Sequence, residues 1–162
     1  MSILIPILSV ALLAGVLLGL MPRRKNRSFA NSLTGTHRGS VTRYTDAAVT
    51  TRYLLGTAGS DATHVAVGGA NTIPLGVIAD EASVAGYEVA VELLGSAGST
   101  VRMVATAAIP VGGLVYTAAN GLVSALPTTS GTYYCVGVAL SAAALPGDVI
   151  EVDPCVAHKL VV

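Results

Sequence analysis

Tryptophan is absent from this chain, phenylalanine occurs once, and charged residues make up only 11% of its 162 positions. A helical bundle of this length would need far more Leu, Glu and Lys. Disorder is excluded from the other side, because it requires low hydrophobicity and high charge, whereas 52% of these residues are hydrophobic. What is abundant is glycine, with 18 residues, and small apolar side chains. That profile suits short strands joined by tight turns, in one domain with an appendage.

Groups that could react or bind a metal are equally sparse. His37, His64 and His158 are scattered, and none lies at metal-ligand spacing from another His or Cys, so each reads as a surface or structural residue. Cys135 lies in an apolar stretch and Cys155 follows Asp153-Pro154. They can pair if their strands are neighbours; otherwise they stand as free, buried thiols. Asp80-Glu81 reads as a solvated turn, since a catalytic pair would need burial and a cleft. The glycine pairs lack the lysine of a phosphate loop and the spacing of a dinucleotide fingerprint. No Gly-x-Ser-x-Gly elbow occurs. Asn26-Arg27-Ser28 matches a glycosylation sequon, a pattern too common to weigh. No catalytic residue, cofactor or metal is expected, and a small hydrolase would have only scattered carboxylates behind it.

Charge divides the chain in two. Arg23, Arg24, Lys25, Arg27, Arg38 and Arg43 precede Asp46 with no acid among them, whereas the remainder holds nine acids and three bases. The basic cluster has no interleaved aromatics and the body is acidic, which argues against nucleic acid as a partner. Ahead of the cluster, residues 3–21 read "ILIPILSVALLAGVLLGLM" without a charge. That run is just long enough for a membrane-spanning helix. A cleaved signal peptide fits poorly, with no positive residue before the run and no small-x-small site after it. Three readings stand: a membrane anchor with the body on the cytoplasmic side, an apolar helix buried against partner chains, or an upstream extension with the real start at Met21.

From Ser40 onward the apolar period is two. In Glu88–Leu94, Val89, Val91 and Leu93 share one face, while Glu88 and Glu92 point to water. "TVRMVA" from Thr100 alternates likewise, and the intervening "GSAGS" reads as a hairpin connection. Further strands are expected at "SVTRYT", "RYLL", "HVAV", "LGVI", "GLVYTA", "YYCVGVAL" and "DVIEVD", punctuated by Gly and Pro. "DAAVTTRYLL" and "ADEASVA" could each make a helical turn or two. Two stretches say nearly the same thing: "GVIADEASVAGYEVAV" from Gly76 and "GVALSAAALPGDVIEV" from Gly137. They agree at Gly76/Gly137, Val77/Val138, Ala82/Ala143, Gly86/Gly147 and Val91/Val152. Each reads as strand, loop and return strand, with Gly86 and Gly147 at the turn-back. Small antiparallel β-barrel or sandwich is the expected all-β fold.

The runs "GSVTRYTDAAVTTRYLLGTAGSDATHVAV", "IPLGVIADEASVAGYEVAVELLG", "AAIPVGGLVYTAANGLVSALPTTSGTYYCVGVAL" and "GDVIEVDP" resemble the capsid decoration, or cement, proteins of tailed bacteriophages. The resemblance covers Gly39 to Val162 and rests on glycines and apolar alternation. It implies a non-enzymatic, head-stabilising virion protein, a homotrimer on the capsid exterior whose partner is the major capsid protein. It also implies an N-terminal arm over that protein. The corresponding division is an apolar segment at 1–22, a basic extended arm at 23–45 and a β-rich decoration domain at 46–162. The candidate partner-binding residues are the six basic ones before Asp46. The competing reading is a membrane-anchored β-domain acting as a binding module, held by residues 3–21.

Overall fold

The computed structural model describes residues 39–162. The apolar segment and most of the basic arm, with Arg23, Arg24, Lys25, Arg27 and Arg38, lie outside the described residues. The remaining candidate, Arg43, is inside the fold. Residues 40–45, placed in the arm by the resemblance and expected as the strand "SVTRYT" by their pattern, form the first strand.

Strands β1 (Ser40–Thr45), β2 (Leu54–Ala58), β3 (His64–Val67), β4 (Gly76–Ile78) and β5 (Glu88–Leu93) close into a barrel in the order β1-β3-β2-β4-β5. Alternation builds it: Val41, Val65, Val89 and Val91 turn inward and are buried with Ile78. All pairings are antiparallel except β1 with β3, which run parallel at Tyr44↔His64 and Thr45↔Val65. Neither "DAAVTTRYLL" nor "ADEASVA" is helical. They run side by side as irregular chain joined at Val49↔Ala82, where each residue's N–H bonds the other's carbonyl.

Strands β6 (Val101–Val104), β7 (Leu114–Thr117), β8 (Val123–Ser124), β9 (Thr132–Ala139) and β10 (Val149–Val161) form a second sheet, ordered β6-β10-β9-β7-β8. Its edges meet at one parallel bridge, Ala105↔Val123. This is the first barrel over again, with β6 to β10 standing for β1 to β5 in sequence order. Val41↔Val91 becomes Val101↔Val152, and Gly56↔Gly76 becomes Val115↔Gly137. The parallel Thr45↔Val65 becomes Ala105↔Val123, and Val49↔Ala82 becomes Ile109↔Ala143. Gly86 donates to the Thr45 carbonyl at 2.7 Å, and Gly147 to that of Ala105 at 2.8 Å. Both glycines have left-handed φ, +79° and +90°, which favours a residue without Cβ. The repeat seen between 76–91 and 137–152 is therefore a fragment of a duplicated five-strand circuit.

The expected hairpin through "GSAGS" does not form. β5 pairs with β1 and β4, while β6 pairs with β10. The segment between them, with a 3-10 turn at Leu94–Ser96, crosses from one barrel to the other. Leu94 decides this, because it is buried in the second barrel's core cluster and so pulls the chain across. Leu55 and Val77, on the outer face of the first barrel, join the same cluster. In return Val104 and Leu122 reach the first barrel's cluster. At the seam Gly121 has φ +71° and donates to the Gly68 carbonyl at 2.6 Å. A Cβ there would meet Leu54 Cβ, Leu55 O and Val67 Cγ1, each at 2.9 Å.

Two stability predictions follow from this geometry. Val91→Ala and its counterpart Val152→Ala should each cost about 1–3 kcal/mol from lost burial and the cavity left. Gly121→Ala should cost roughly 2–5 kcal/mol, combining left-handed strain with overpacking at the seam. Gly98→Ala, where a Cβ meets nothing within 4 Å, should stay within about 0.5 kcal/mol. Urea titration of the four variants checks both, and equal costs at Gly121 and Gly98 would contradict the seam.

Candidate functional site

The surfaces that could meet a partner come from the differences between the two barrels. In the first, Leu55 and Val77 are 2% and 0% exposed because the second barrel lies over them. Their counterparts by strand register are Leu114 on β7 and Val138 on β9, which are direct cross-strand partners. Leu114 is 51% exposed and Val138 half-buried. The fold thus covers this face once and leaves its copy open. Asp153, opposite Val138 on β10, and Glu151 on the same side of that strand bring carboxylates beside the apolar pair. Exposed apolar side chains also recur at the loop tips, with Val84 at 53% and its counterpart Leu145 at 65%.

The converse face belongs to the first barrel. Val104 and Leu122, which press on the first barrel, correspond to Tyr44 and His64. Those two rings lie 5.7 Å apart, tilted by 44°. Tyr44 Oη donates to Glu88 Oε1 at 3.1 Å, and that bond, then the charge beside it, raises the tyrosine pKa. Asp61 Oδ1 sits 2.8 Å from His64 Nδ1 and accepts the Thr63 N–H and hydroxyl at 2.7 Å each. These bonds, the histidine's first, hold its carboxyl far below the usual range. The same topological position is greasy where it is covered and polar where it is free.

Arg43 is half-buried on β1, opposite Val89, with Nη1 donating to the Thr42 carbonyl at 3.2 Å. Its counterpart is Met103, fully buried. Glu88 is exposed as expected, but Glu92 is half-buried, and burial, then Asp80, raises its pKa. It lies beside the crossover, which shields it. Asp80 Oδ2 accepts the Ala90 N–H at 3.0 Å, as Ser141 Oγ accepts that of Glu151 at 2.8 Å. Glu81 pairs with Arg52 at 3.5 Å, both more than half exposed, a contact of small energetic weight. A depression of about 480 Å³ is open and polar, with Thr100 donating to Glu151 at 2.6 Å on its wall. Among the described residues no cluster of three or more His, Cys, Asp or Glu gathers, and no helix is long and apolar enough to cross a membrane.

One element has no counterpart in the first barrel. β9 and β10 run on past the closed circuit as a two-stranded tongue, Thr132↔Val161 to Cys135↔His158. Val156 and Val161 are exposed on it, and Val156 lies against Gly95 of the crossover. The sequence reading missed the tongue because Pro154 looks like the end of a strand; it is instead the entrance to a bulge between Pro154 and His158. Alternating Val156, His158 and Leu160 beyond the proline were the available signal.

Residues 34–154 match the family described as phage cement protein. The solved structure of the head fibre gp8.5 N base in bacteriophage phi29 superposes with a TM-score of 0.53 at 20% sequence identity, covering 74% of this chain and 95% of that one. At that identity the likeness concerns the fold. No curated protein matches.

The Asp61 geometry makes a pH prediction. Its folded pKa is depressed, so its contribution to stability is complete above the ordinary aspartate value and is lost as pH falls below it. By carbon-13 titration Asp61 should remain ionised at about pH 3, where an unperturbed aspartate is largely protonated. Stability of Asp61→Asn should fall less steeply on acidification than that of the parent. A carboxyl that titrates near pH 4 would contradict the bonding described.

Proposed function

The chain belongs to the phage cement protein family, and from that premise we propose that it binds the outside of a phage head through the major capsid protein and stabilises the shell as a homotrimer. A structural role in the virion capsid follows from the family. The binding mode rests on the open face at Leu114 and Val138, the observation that carries this reading. A face that the same fold buries in its other half is shaped for apolar contact, and association is where a monomer's uncovered patch is buried. The role asks for buried surface and no reacting group, in keeping with a polar, open depression and scattered carboxylates.

Residues 23–38 act as the arm. Their basic, Ser- and Asn-containing sequence carries too little apolar surface to fold alone, and it steers docking onto acidic capsid surface. Arg43 belongs to the barrel and anchors the arm's end instead of reaching out with it. The rival reading, a membrane-anchored binding module, is favoured only by the apolar run at residues 3–21.

Capsid binding tests the reading. Leu114→Asp should keep the fold, because the side chain is already half in water, and should weaken shell occupancy or self-association by about tenfold or more. Deleting 23–38 should lower occupancy on shells and leave the body folded. Light scattering on a chain starting near Arg38 should report trimers in solution or on the shell. Full occupancy by both variants, or protein that follows lipid instead of capsids in fractionation, would overturn it.

A further inference from the structure

We propose that Cys135 and Cys155 are the two halves of an intramolecular disulfide that ties β9 to β10 at the base of the tongue. The two cysteines lie on neighbouring strands, are both free, and are both half-exposed. Cys155 Sγ is 3.9 Å from the Cys135 carbonyl, and Cys135 Sγ is 3.9 Å from that of Gly137. Both sulfurs therefore sit over the same short piece of β9. Burial, together with the neighbouring Cys135 thiol, pushes the Cys155 thiol upward, as close approach requires.

The place is also where the ladder is weakest. Register runs to Pro154↔Gly137 and resumes only at His158↔Cys135, so Cys155, Val156 and Ala157 form a bulge. Pro154 has no N–H to give. At the far end the tongue is closed by reciprocal Gly131 and Val162 backbone bonds at 3.0 and 2.9 Å, whereas at its base the register shifts across the bulge. In the first barrel the position of Cys155 is taken by Leu94, buried in the inter-barrel core. The second copy has no covering barrel there, and a covalent bond supplies the restraint that burial supplies in the first.

The chemistry balances with a low-molecular-weight disulfide as oxidant. One cysteine thiolate attacks it, releasing one small thiol and forming a mixed disulfide. The other cysteine thiolate then attacks the protein sulfur of that adduct and expels the second small thiol. The two cysteines lose two protons and two electrons, and the oxidant disulfide is reduced to two thiols. The bond would be absent in a reducing compartment and form outside it. Closing the loop from 135 to 155 restricts the unfolded chain, which stabilises the oxidised protein.

The test treats the intact reduced protein with oxidised glutathione, in buffer and in urea. The expected result is loss of both free thiols, a mass lower by two hydrogens, and a proteolytic peptide joining Cys135 to Cys155 within one chain. Closure should be several-fold faster in the native state than in urea, and the oxidised form should melt roughly 5 °C or more higher. Cys135→Ser should stop at a stable glutathione adduct on Cys155. Stable adducts on both cysteines of the parent, cross-links between chains in place of within one, or closure no faster in buffer than in urea would each overturn the proposal.

Discussion

The close approach of the two barrels at their seam depends on Gly121 having no side chain. Its backbone lies against Leu54, Leu55 and Val67 at distances no Cβ could share, and its N–H bonds the Gly68 carbonyl across the seam. That approach lets Leu55 and Val77 sink into the second barrel's core while Val104 and Leu122 reach the first. Each five-strand circuit is small, and its interior alone would bury little apolar area. Joined, they form two interlocked clusters bridged by Tyr53, which packs against both. The strain at Tyr53, whose φ is +65°, is held in place by that double contact and by Arg102, whose guanidinium lies 5.7 Å over the ring. The equivalent position in the second barrel is Gly112, with the same sign of φ at +77° and no bridging task.

Duplication explains why unlike residues serve the same bonds. Asp80 and Ser141 accept the same N–H in their respective copies, so a carboxylate there serves as a turn acceptor. Gly76 and Gly137 both face a carbonyl on the next strand, Glu92 and Asp153, so closely that a Cβ at either would collide with it. Backbone geometry is what the copies share, and side chains diverged wherever the surroundings differ. Where the surroundings are another barrel, the face is Val104 and Leu122; where they are solvent, it is Tyr44, His64 and Asp61.

Much of this was legible because its signals are local. Period-two alternation located β5 and β6, the Gly-Val phrases marked β4 and the end of β9, and the turn glycines matched by position. What could not be read is decided by partners distant in sequence. "GSAGS" has hairpin composition, yet Leu94 beside it finds its place in the other barrel. β8 spans only Val123–Ser124, too short for any pattern. β10 continues for 13 residues through a proline, because the bulge leaves that nitrogen without a ladder duty. Arg43 counted as arm by charge but belongs to a strand by alternation, and register with Val89 decided between them. The open face at Leu114 and Val138 was invisible for a deeper reason: its meaning comes from comparison with Leu55 and Val77, and that equivalence exists only once both circuits are drawn.

A tandem repeat with a directional seam necessarily ends in two unmatched surfaces. Here evolution has treated them differently. The leading face, around Tyr44 and His64, carries hydrogen-bonded polar groups that pay no penalty in water. The trailing face keeps an exposed leucine beside a half-covered valine, which in water is unfavourable surface. Contact between two copies of one such face is two-fold symmetric, whereas contacts between unlike faces generate rings when the rotation closes. The tongue rises from the same trailing barrel, so that barrel concentrates the exposed valines, the open pair and the two cysteines. The asymmetry between otherwise equivalent halves thus leaves the trailing barrel with open apolar surface at the place where the leading barrel has it buried.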